Sequence, residues 1–199
     1  MPLSLPPEQR SPAAWYGPEM ARRDDWLMPL SAGERAEIEA ATHALARRQA
    51  DIAAIRACDF PLPELGPKLK ARNRAEVLNG RGFLLIRGLP VERWSLAEAA
   101  TAFFGLGSHL GSARSQNAMG HVLGHVRDLG LDAGNPDVRI YQTNQRQTFH
   151  TDSCDIVGLL CLKTAKAGGL SALVSAVTIY NEFRRLRPDL LPALFAPIE

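Results

Sequence analysis

Residues 156–175 read Ile-Val-Gly-Leu-Leu-Cys-Leu-Lys-Thr-Ala-Lys-Ala-Gly-Gly-Leu-Ser-Ala-Leu-Val-Ser, and this stretch decides the predicted fold. It holds two apolar runs that are divided by a Gly-Gly pair, Gly168 and Gly169. A short apolar run bounded by turn residues is typical of a β-strand. We therefore predict strands over residues 156–163 and 171–179, with a turn between them.

Three more strands are predicted upstream, over residues 82–86, 121–127 and 138–144. All five are short, and turns rich in Gly, Asn and Pro separate them, which favours a sandwich or a jelly roll. A jelly roll closes with about eight strands, whereas the last strand predicted here ends near Ile179. The predicted fold class is α+β, with an incomplete jelly roll behind a helical N-terminal region.

The N-terminal region, residues 1–78, is predicted to be an extended arm followed by helices. Residues 1–30 contain six prolines and no apolar period, which favours the arm. Ser31-Ala-Gly-Glu34 is a capping box that opens a helix predicted to run to about Ala57. Other helices are predicted over residues 68–78, 95–104 and 180–186. This organisation divides the chain into an N-terminal region, 1–78, and a second domain, 79–199.

The composition excludes several classes of protein. The 199 residues include 23 Lys and Arg against 21 Asp and Glu, and this balance predicts no nucleic-acid partner. The longest apolar run, residues 156–162, is too short to cross a bilayer, so no membrane association is expected. No secretory signal is visible, and three cysteines at no metal-finger spacing indicate reduced thiols. We therefore predict a cytoplasmic protein.

The residues most suited to chemistry are His150 and Asp152, in the sequence Phe149-His-Thr-Asp152. Residues i and i+2 of an extended chain point to the same side, so an imidazole nitrogen and a carboxylate oxygen can meet one metal ion. Such a pair is two-thirds of the triad that binds non-heme Fe(II) in oxygenases. The alternative is a polar turn in which both side chains form only local hydrogen bonds, because so short a motif also arises by chance.

The order of motifs around this pair resembles the TauD/TfdA-like (taurine catabolism dioxygenase) family of Fe(II)- and 2-oxoglutarate-dependent dioxygenases. In that family a His-x-Asp pair precedes a strand ending in Ala-Lys, and Gly-Gly-x-Thr or Gly-Gly-x-Ser opens the next strand. The matching segments are Gly80-Arg-Gly-Phe-Leu-Leu-Ile-Arg-Gly88, His150-Thr-Asp152, Ala165-Lys166, Gly168-Gly-Leu-Ser171, Tyr180-Asn-Glu-Phe183 and Arg187-Pro-Asp-Leu190. The resemblance covers about residues 78–195, and it implies a double-stranded β-helix core of the clavaminate synthase-like type.

The resemblance also implies roles for individual residues. His150 and Asp152 match two iron ligands, and Ser171 matches a hydroxyl that hydrogen-bonds the carboxylate of the co-substrate. The alternative for Ser171 is a residue that only starts a strand after the turn. Asn144 is a candidate contact for 2-oxoglutarate or substrate, although a local turn bond is the favoured alternative. The implied enzyme is an oxidoreductase that uses Fe(II), O₂ and 2-oxoglutarate as co-substrate to hydroxylate a small organic molecule.

One departure from the family pattern is large. The family's second iron-binding His and the Arg that pairs the far carboxylate of 2-oxoglutarate both lie downstream of the Gly-Gly-x-Ser strand. No His follows His150 in this chain. The resemblance therefore implies the N-terminal portion only, and we expect a fragment that lacks the distal His and Arg. The alternative is a non-catalytic, truncated jelly-roll remnant or binding module.

Overall fold

The computed structural model describes residues 5–117 and 119–196, which fall into two compact units. The first unit comprises residues 5–29, 71–87 and 172–196, and the second comprises residues 30–70 and 88–171. The helices are α1 (Gly17–Met20), α2 (Ala32–Arg47), α3 (Leu65–Arg72), α4 (Leu96–Ser108), α5 (Ala176–Leu186) and α6 (Leu191–Leu194). The strands are β1 (Leu27–Pro29) and β2 (Leu85–Arg87). Single 3₁₀ turns cover Ile52–Ala54, Val91–Arg93 and Ile140–Gln142, and a π-helical turn, Asn73–Leu78, continues α3.

The second unit is built on two capped helices that pack against each other, α2 and α4. The predicted capping box of α2 is confirmed, because the Glu34 N–H donates to Ser31 Oγ and the Ser31 N–H donates to Glu34 Oε2. Ser95 and Glu98 form the same reciprocal pair at the start of α4. Each box satisfies two backbone N–H groups that a helix start leaves without a partner. Both starts are therefore fixed by local sequence.

The core of this unit is apolar and closely packed around Phe60. Phe60, Ile38 and Leu65 are fully buried, and Ala102 of α4 is buried as well. Gly105 is required in α4, since a Cβ atom at this position would overlap the Phe60 ring. The ring therefore packs directly on the backbone of the helix.

The predicted end of α2 near Ala57 is wrong, because the helix stops at Arg47. Gln49 takes a left-handed backbone conformation, with φ of 49°, which ends a helix. Asp51 then starts a separate 3₁₀ turn, in which its Oδ1 accepts the Ala53 N–H at 3.0 Å. A run of apolar residues continued past this break and gave the longer prediction.

The first unit contains the one two-stranded sheet of the described residues. Strands β1 and β2 are parallel, with Leu27 opposite Leu85. The predicted strand at 82–86 is therefore present but shifted towards the C-terminus, and its partner in the arm was not predicted. The Phe83 ring lies between Trp15 and Trp26, with ring centroids 5.5 and 6.1 Å away.

The N-terminal arm, residues 6–15, is held by side chains of the segment that starts α5. The Gln9 N–H donates to Asn181 Oδ1 at 2.9 Å, and Asn181 Nδ2 donates back to the Gln9 carbonyl at 2.8 Å. Thr178 Oγ1 donates to the Trp15 carbonyl, and the Ser175 hydroxyl donates to the Ala13 carbonyl. The backbone of residues 6–15 is thus bound by the polar face of a helix, whereas α1 and β1 form within the described part of the predicted arm, residues 1–30.

Four predicted strands, at 121–127, 138–144, 156–163 and 171–179, are absent from the described residues. The last of them ends inside α5, because the Ser175 hydroxyl accepts the Thr178 N–H and so caps that helix. One backbone bond among the described residues joins the first pair, from Arg127 N–H to the Tyr141 carbonyl, and a second runs from Leu129 N–H, beyond the first predicted strand, to the Gln142 carbonyl. A strand is stable only when its backbone groups are paired along a partner. The apolar runs predicted the strands, but they did not show which segment would pair with each of them.

The described residues form a mixture of helices and two short strands, which does not confirm the details of the predicted incomplete double-stranded β-helix. The helices predicted after Ser95 and before Pro188 are confirmed as α4 and α5. No helix among residues 5–117 and 119–196 is both long enough and apolar enough to cross a membrane.

Candidate metal centre

His150 and Asp152 lie on an exposed segment that follows the Ile140–Gln142 turn. The side chains are 47% and 54% exposed, and His150 Nε2 lies 4.0 Å from Asp152 Oδ1. The structure therefore brings the two predicted ligands to the same side of the chain, as the i, i+2 spacing predicts. Both donor atoms remain accessible to an ion from solvent.

The hydrogen bonds of His150 define its tautomer. Nδ1 lies 2.8 Å from the Thr148 carbonyl oxygen, which only accepts, so Nδ1 carries the proton and donates it. Nε2 then keeps its lone pair, and the side-chain amide of Gln147 donates to it at 3.2 Å. A metal-binding imidazole commonly has one nitrogen fixed by a carbonyl and the other free to coordinate. His150 has this arrangement, with Nε2 as the coordinating atom.

The pair fits the chemistry of iron in donor type and nearly in spacing. An imidazole nitrogen with a carboxylate oxygen is the donor combination of non-heme Fe(II) sites. Bonds of about 2.1 Å at right angles would place two neighbouring donors about 3 Å apart. The observed 4.0 Å must shorten by about 1 Å, which rotation of two exposed side chains can achieve. Among the described residues no group of three or more His, Cys, Asp or Glu side chains surrounds a common point.

The other two predicted site residues are not brought to this pair. Asn144 is exposed, and its Oδ1 accepts only a long 3.5 Å bond from the neighbouring Gln145 side chain. Ser171 is exposed, and within residues 119–196 no hydrogen bond joins it or Asn144 to His150 or Asp152. The roles of Asn144 and Ser171 therefore stay predictions.

The Gly-Gly pair before Ser171 has a backbone conformation that favours glycine. Gly168 and Gly169 have φ of 70° and 68°, in the left-handed region that favours glycine. A side chain at Gly169 would also crowd Ala165, whose Cβ would lie 2.8 Å away. The left-handed backbone and the close approach to Ala165 both favour glycine just ahead of Ser171.

Sequence reasoning missed Gln147, which contacts the proposed coordinating nitrogen directly. Its distance of three residues from His150 was the available signal, since side chains at this separation meet in a tight turn. An amide at this place can hold the imidazole in position before an ion arrives. Thr148 was missed for a different reason, because it acts through its backbone carbonyl, which every residue carries.

Comparison with known proteins agrees with these motifs. The family model described as "Taurine catabolism dioxygenase TauD, TfdA family" matches residues 41–197. "FR-33289 synthase" of Streptomyces rubellomurinus is 33% identical over 187 residues, covering 94% of this chain and 55% of that protein. "Taurine hydroxylase-like protein SAT17" of Stachybotrys chartarum is 31% identical over 188 residues, covering 91% of this chain and 49% of that protein.

The chain spans about half the length of the relatives it matches. The family match nevertheless includes the His150–Asp152 pair, the Gly168–Gly169 pair and both α4 and α5. The family is one of dioxygenases, and it implies a jelly-roll fold. On the extent of this match, the chain belongs to the taurine catabolism dioxygenase TauD, TfdA family.

Proposed function

We propose that this chain carries two iron ligands, His150 and Asp152, of an Fe(II)- and 2-oxoglutarate-dependent oxygenase. Such an oxidoreductase uses O₂ to hydroxylate a small organic substrate. The observation that carries the proposal is the His150 imidazole, whose Nδ1 is held by the Thr148 carbonyl while Nε2 lies 4.0 Å from the Asp152 carboxylate. Membership of a dioxygenase family supports the same reading.

The residues of the chain prepare the site for the ion in three ways. The Thr148 carbonyl keeps the proton on Nδ1, so the Nε2 lone pair is directed outward. The Asp152 carboxylate contributes negative charge that favours a divalent cation. The Gln147 amide donates to Nε2, and Nε2 would have to give up this bond in order to hold the ion. When bound, Fe(II) supplies the redox chemistry that couples 2-oxoglutarate decarboxylation to hydroxylation.

Co-substrate binding is assigned to Ser171, with Asn144 as a further candidate. Ser171 follows the left-handed residues Gly168 and Gly169 and is exposed, so its hydroxyl can donate to a carboxylate oxygen of 2-oxoglutarate. We propose that the distal His and Arg belong to the half of the relatives that this chain does not match. All three cysteines are free and exposed, which supports a reducing compartment, and we propose the cytoplasm.

The test is anaerobic Fe(II) titration of the whole chain followed by calorimetry. We expect His150→Ala to weaken Fe(II) binding at least about tenfold, because it removes one of two coordinating atoms. Asp152→Asn should weaken it as well, since the amide carries no charge. The matched control is His43→Ala, which removes another half-exposed imidazole that lies near Glu98 rather than near Asp152.

A third variant sharpens the assignment of the coordinating atom. Gln147→Ala removes the amide that competes for Nε2, so Fe(II) affinity should stay equal or rise. Unchanged Fe(II) affinity in His150→Ala would overturn the proposal and favour the non-catalytic binding module. A chain that binds Fe(II) through His150 would then be assayed for 2-oxoglutarate-dependent succinate formation.

A further inference from the structure

The first unit contains a row of polar side chains on α5 that all contact the N-terminal arm. Members of the row follow one another at intervals of three residues, and side chains at this spacing lie on the same face of a helix. The polar row of α5 consists of Ser175, Thr178, Asn181 and Arg184. Their partners are, in the same order, the backbone carbonyls of Ala13, Trp15, Gln9 and Pro6.

The row recognises the main chain of the arm. The Asn181 amide binds both backbone groups of Gln9, because it accepts the N–H at 2.9 Å and donates to the carbonyl at 2.8 Å. The Gln9 side chain takes no part, since its Nε2 donates to the Pro7 carbonyl within the arm. The Tyr180 hydroxyl donates to the Pro6 carbonyl, beside the row. Every residue carries such carbonyls, so these contacts select an extended backbone rather than a set of side chains.

The arm has the properties of a bound peptide. Residues 7–11 are exposed, and within the described part of the chain no backbone group of residues 5–10 bonds to another backbone group. Pro6 and Pro7 have a fixed φ and no N–H that needs a partner. A segment of this kind is already extended before it binds, so little conformational entropy is lost on binding.

Trp15 anchors the C-terminal end of the arm. Its Nε1 donates to the Arg81 carbonyl at 2.8 Å, and its ring lies edge-on to Phe83. Beyond this anchor a cleft of about 660 Å³ separates the arm from α5, and the charged residues Glu8 and Arg10 line its arm side. Residues 6–11 are therefore held by hydrogen bonds that water can replace, rather than by a packed apolar contact.

We propose that the polar row of α5 is a binding site for the main chain of an extended peptide, and that residues 6–11 are its releasable ligand. Release uncovers the row, while Trp15 keeps the arm attached to the unit. The attachment raises the effective concentration of the arm at the row, so a free peptide competes well only when the arm is weakened. The proposal does not rest on the proposed oxygenase function, because His150 and Asp152 belong to the second unit.

The experiment measures binding of a fluorescent peptide with the sequence of residues 5–16 to the whole chain carrying Gln9→Pro. This substitution removes the N–H that Asn181 accepts, so it weakens the chain's own arm. We expect the peptide to bind this chain more tightly than the parent. Addition of Asn181→Ala should weaken binding at least about tenfold, because two hydrogen bonds are lost. Asn79→Ala is the matched control, since it removes an amide of the same unit that bonds only to the Arg74 carbonyl.

Two altered peptides test recognition of the main chain. A peptide with Gln9→Ala should bind as the original does, whereas one with Gln9→Pro should bind more weakly. Thermal unfolding checks that each variant of the chain is folded. Absence of peptide binding to the folded Gln9→Pro chain, or binding that Asn181→Ala leaves unchanged, would overturn the proposal. Equal binding to the parent, or a loss of affinity with Gln9→Ala in the peptide, would also contradict it.

Discussion

Two regions of the second unit differ in how their backbone hydrogen bonds are satisfied. The helical layer, α2 with α4 and the Phe60 core, has reciprocal caps at both helix starts and fully buried side chains. The segment at residues 112–171, which bears the proposed iron ligands, is mostly exposed and has one 3₁₀ turn as its regular structure in the described part. A helix pairs its backbone with residues four positions away, whereas a strand needs a distant partner. Residues close in sequence can therefore pair the backbone of the helical layer, but they cannot form a sheet in residues 112–171.

In the exposed segment, residues 112–171, side chains take the place of a partner strand and bind the backbone N–H groups. Asp128 accepts the N–H of Gly130, Asp132 accepts that of Gly134, and Asn135 accepts that of Asp137, at 2.7, 2.9 and 3.0 Å. Short polar side chains that bond two residues ahead are typical of turns. They explain how this stretch keeps a defined course without a sheet. They also explain why its side chains remain available for ligands.

The largest expected effect separates the stability of the two regions. Phe60→Ala removes a fully buried ring and should lower the free energy of unfolding by about 3–5 kcal/mol. Phe149→Ala, beside His150, removes a ring that is 59% exposed and should change it by less than about 0.5 kcal/mol. Chemical denaturation measures both. Equal losses of stability would mean that the exposed segment has a core of its own, and the contrast between the two regions would then be wrong.

A glycine pair within α4 gives a smaller effect whose sign changes with position. Gly105→Ala should destabilise by about 1–3 kcal/mol, because the new Cβ overlaps the Phe60 ring. Gly107→Ala, two residues along, meets nothing within 4 Å and should stabilise by up to about 1 kcal/mol through helix propensity. Thermal unfolding of the two variants compares them directly. Stabilisation by both would show that the ring can move away from the helix.

The smallest expected effect concerns pH and the start of α2. The Lys68 ammonium, 2.6 Å away, and the Ser31 backbone N–H hold the pKa of the Glu34 carboxyl below its ordinary value of 4.5. Ionised Glu34 therefore stabilises the fold above about pH 4.5, and this contribution is lost as the pH falls through the lower, folded-state pKa. Glu34→Gln should cost about 1 kcal/mol at pH 7. The difference from the parent should shrink between about pH 5 and pH 3.

Denaturation at a series of pH values measures that difference. Glu39→Gln is the control, because Glu39 also forms an ion pair, with Arg93, but takes no part in a helix cap. A difference for Glu34→Gln that stays constant down to pH 3 would contradict the role of its charge.

The sequence predicted the parts of the molecule whose partners are close in the chain. The capping box at Ser31, the helix start at Ser95 and the proximity of His150 to Asp152 all depend on residues within a few positions of each other. Strand β1 was missed because three residues, Leu27–Pro29, show no periodicity. The strand predictions at 121–127 and 156–163 failed because apolar runs indicate burial without specifying what pairs with the backbone.

The proposed iron site was likewise predicted only where it depends on residues close in sequence. The donor types and the i, i+2 spacing indicated the pair, but the tautomer of His150 depends on the Thr148 carbonyl, which has no sequence signature.

The bond between Gln9 and Asn181 has a consequence for the order of folding during synthesis. The two residues are 172 positions apart, so the arm leaves the ribosome long before its helix exists. At about 5–20 residues per second, the arm waits roughly 10–30 s with its backbone carbonyls bonded to water. The helical layer of the second unit, whose partners are nearer in sequence, can form in that interval. Attachment of the arm is therefore among the last events in the folding of this chain.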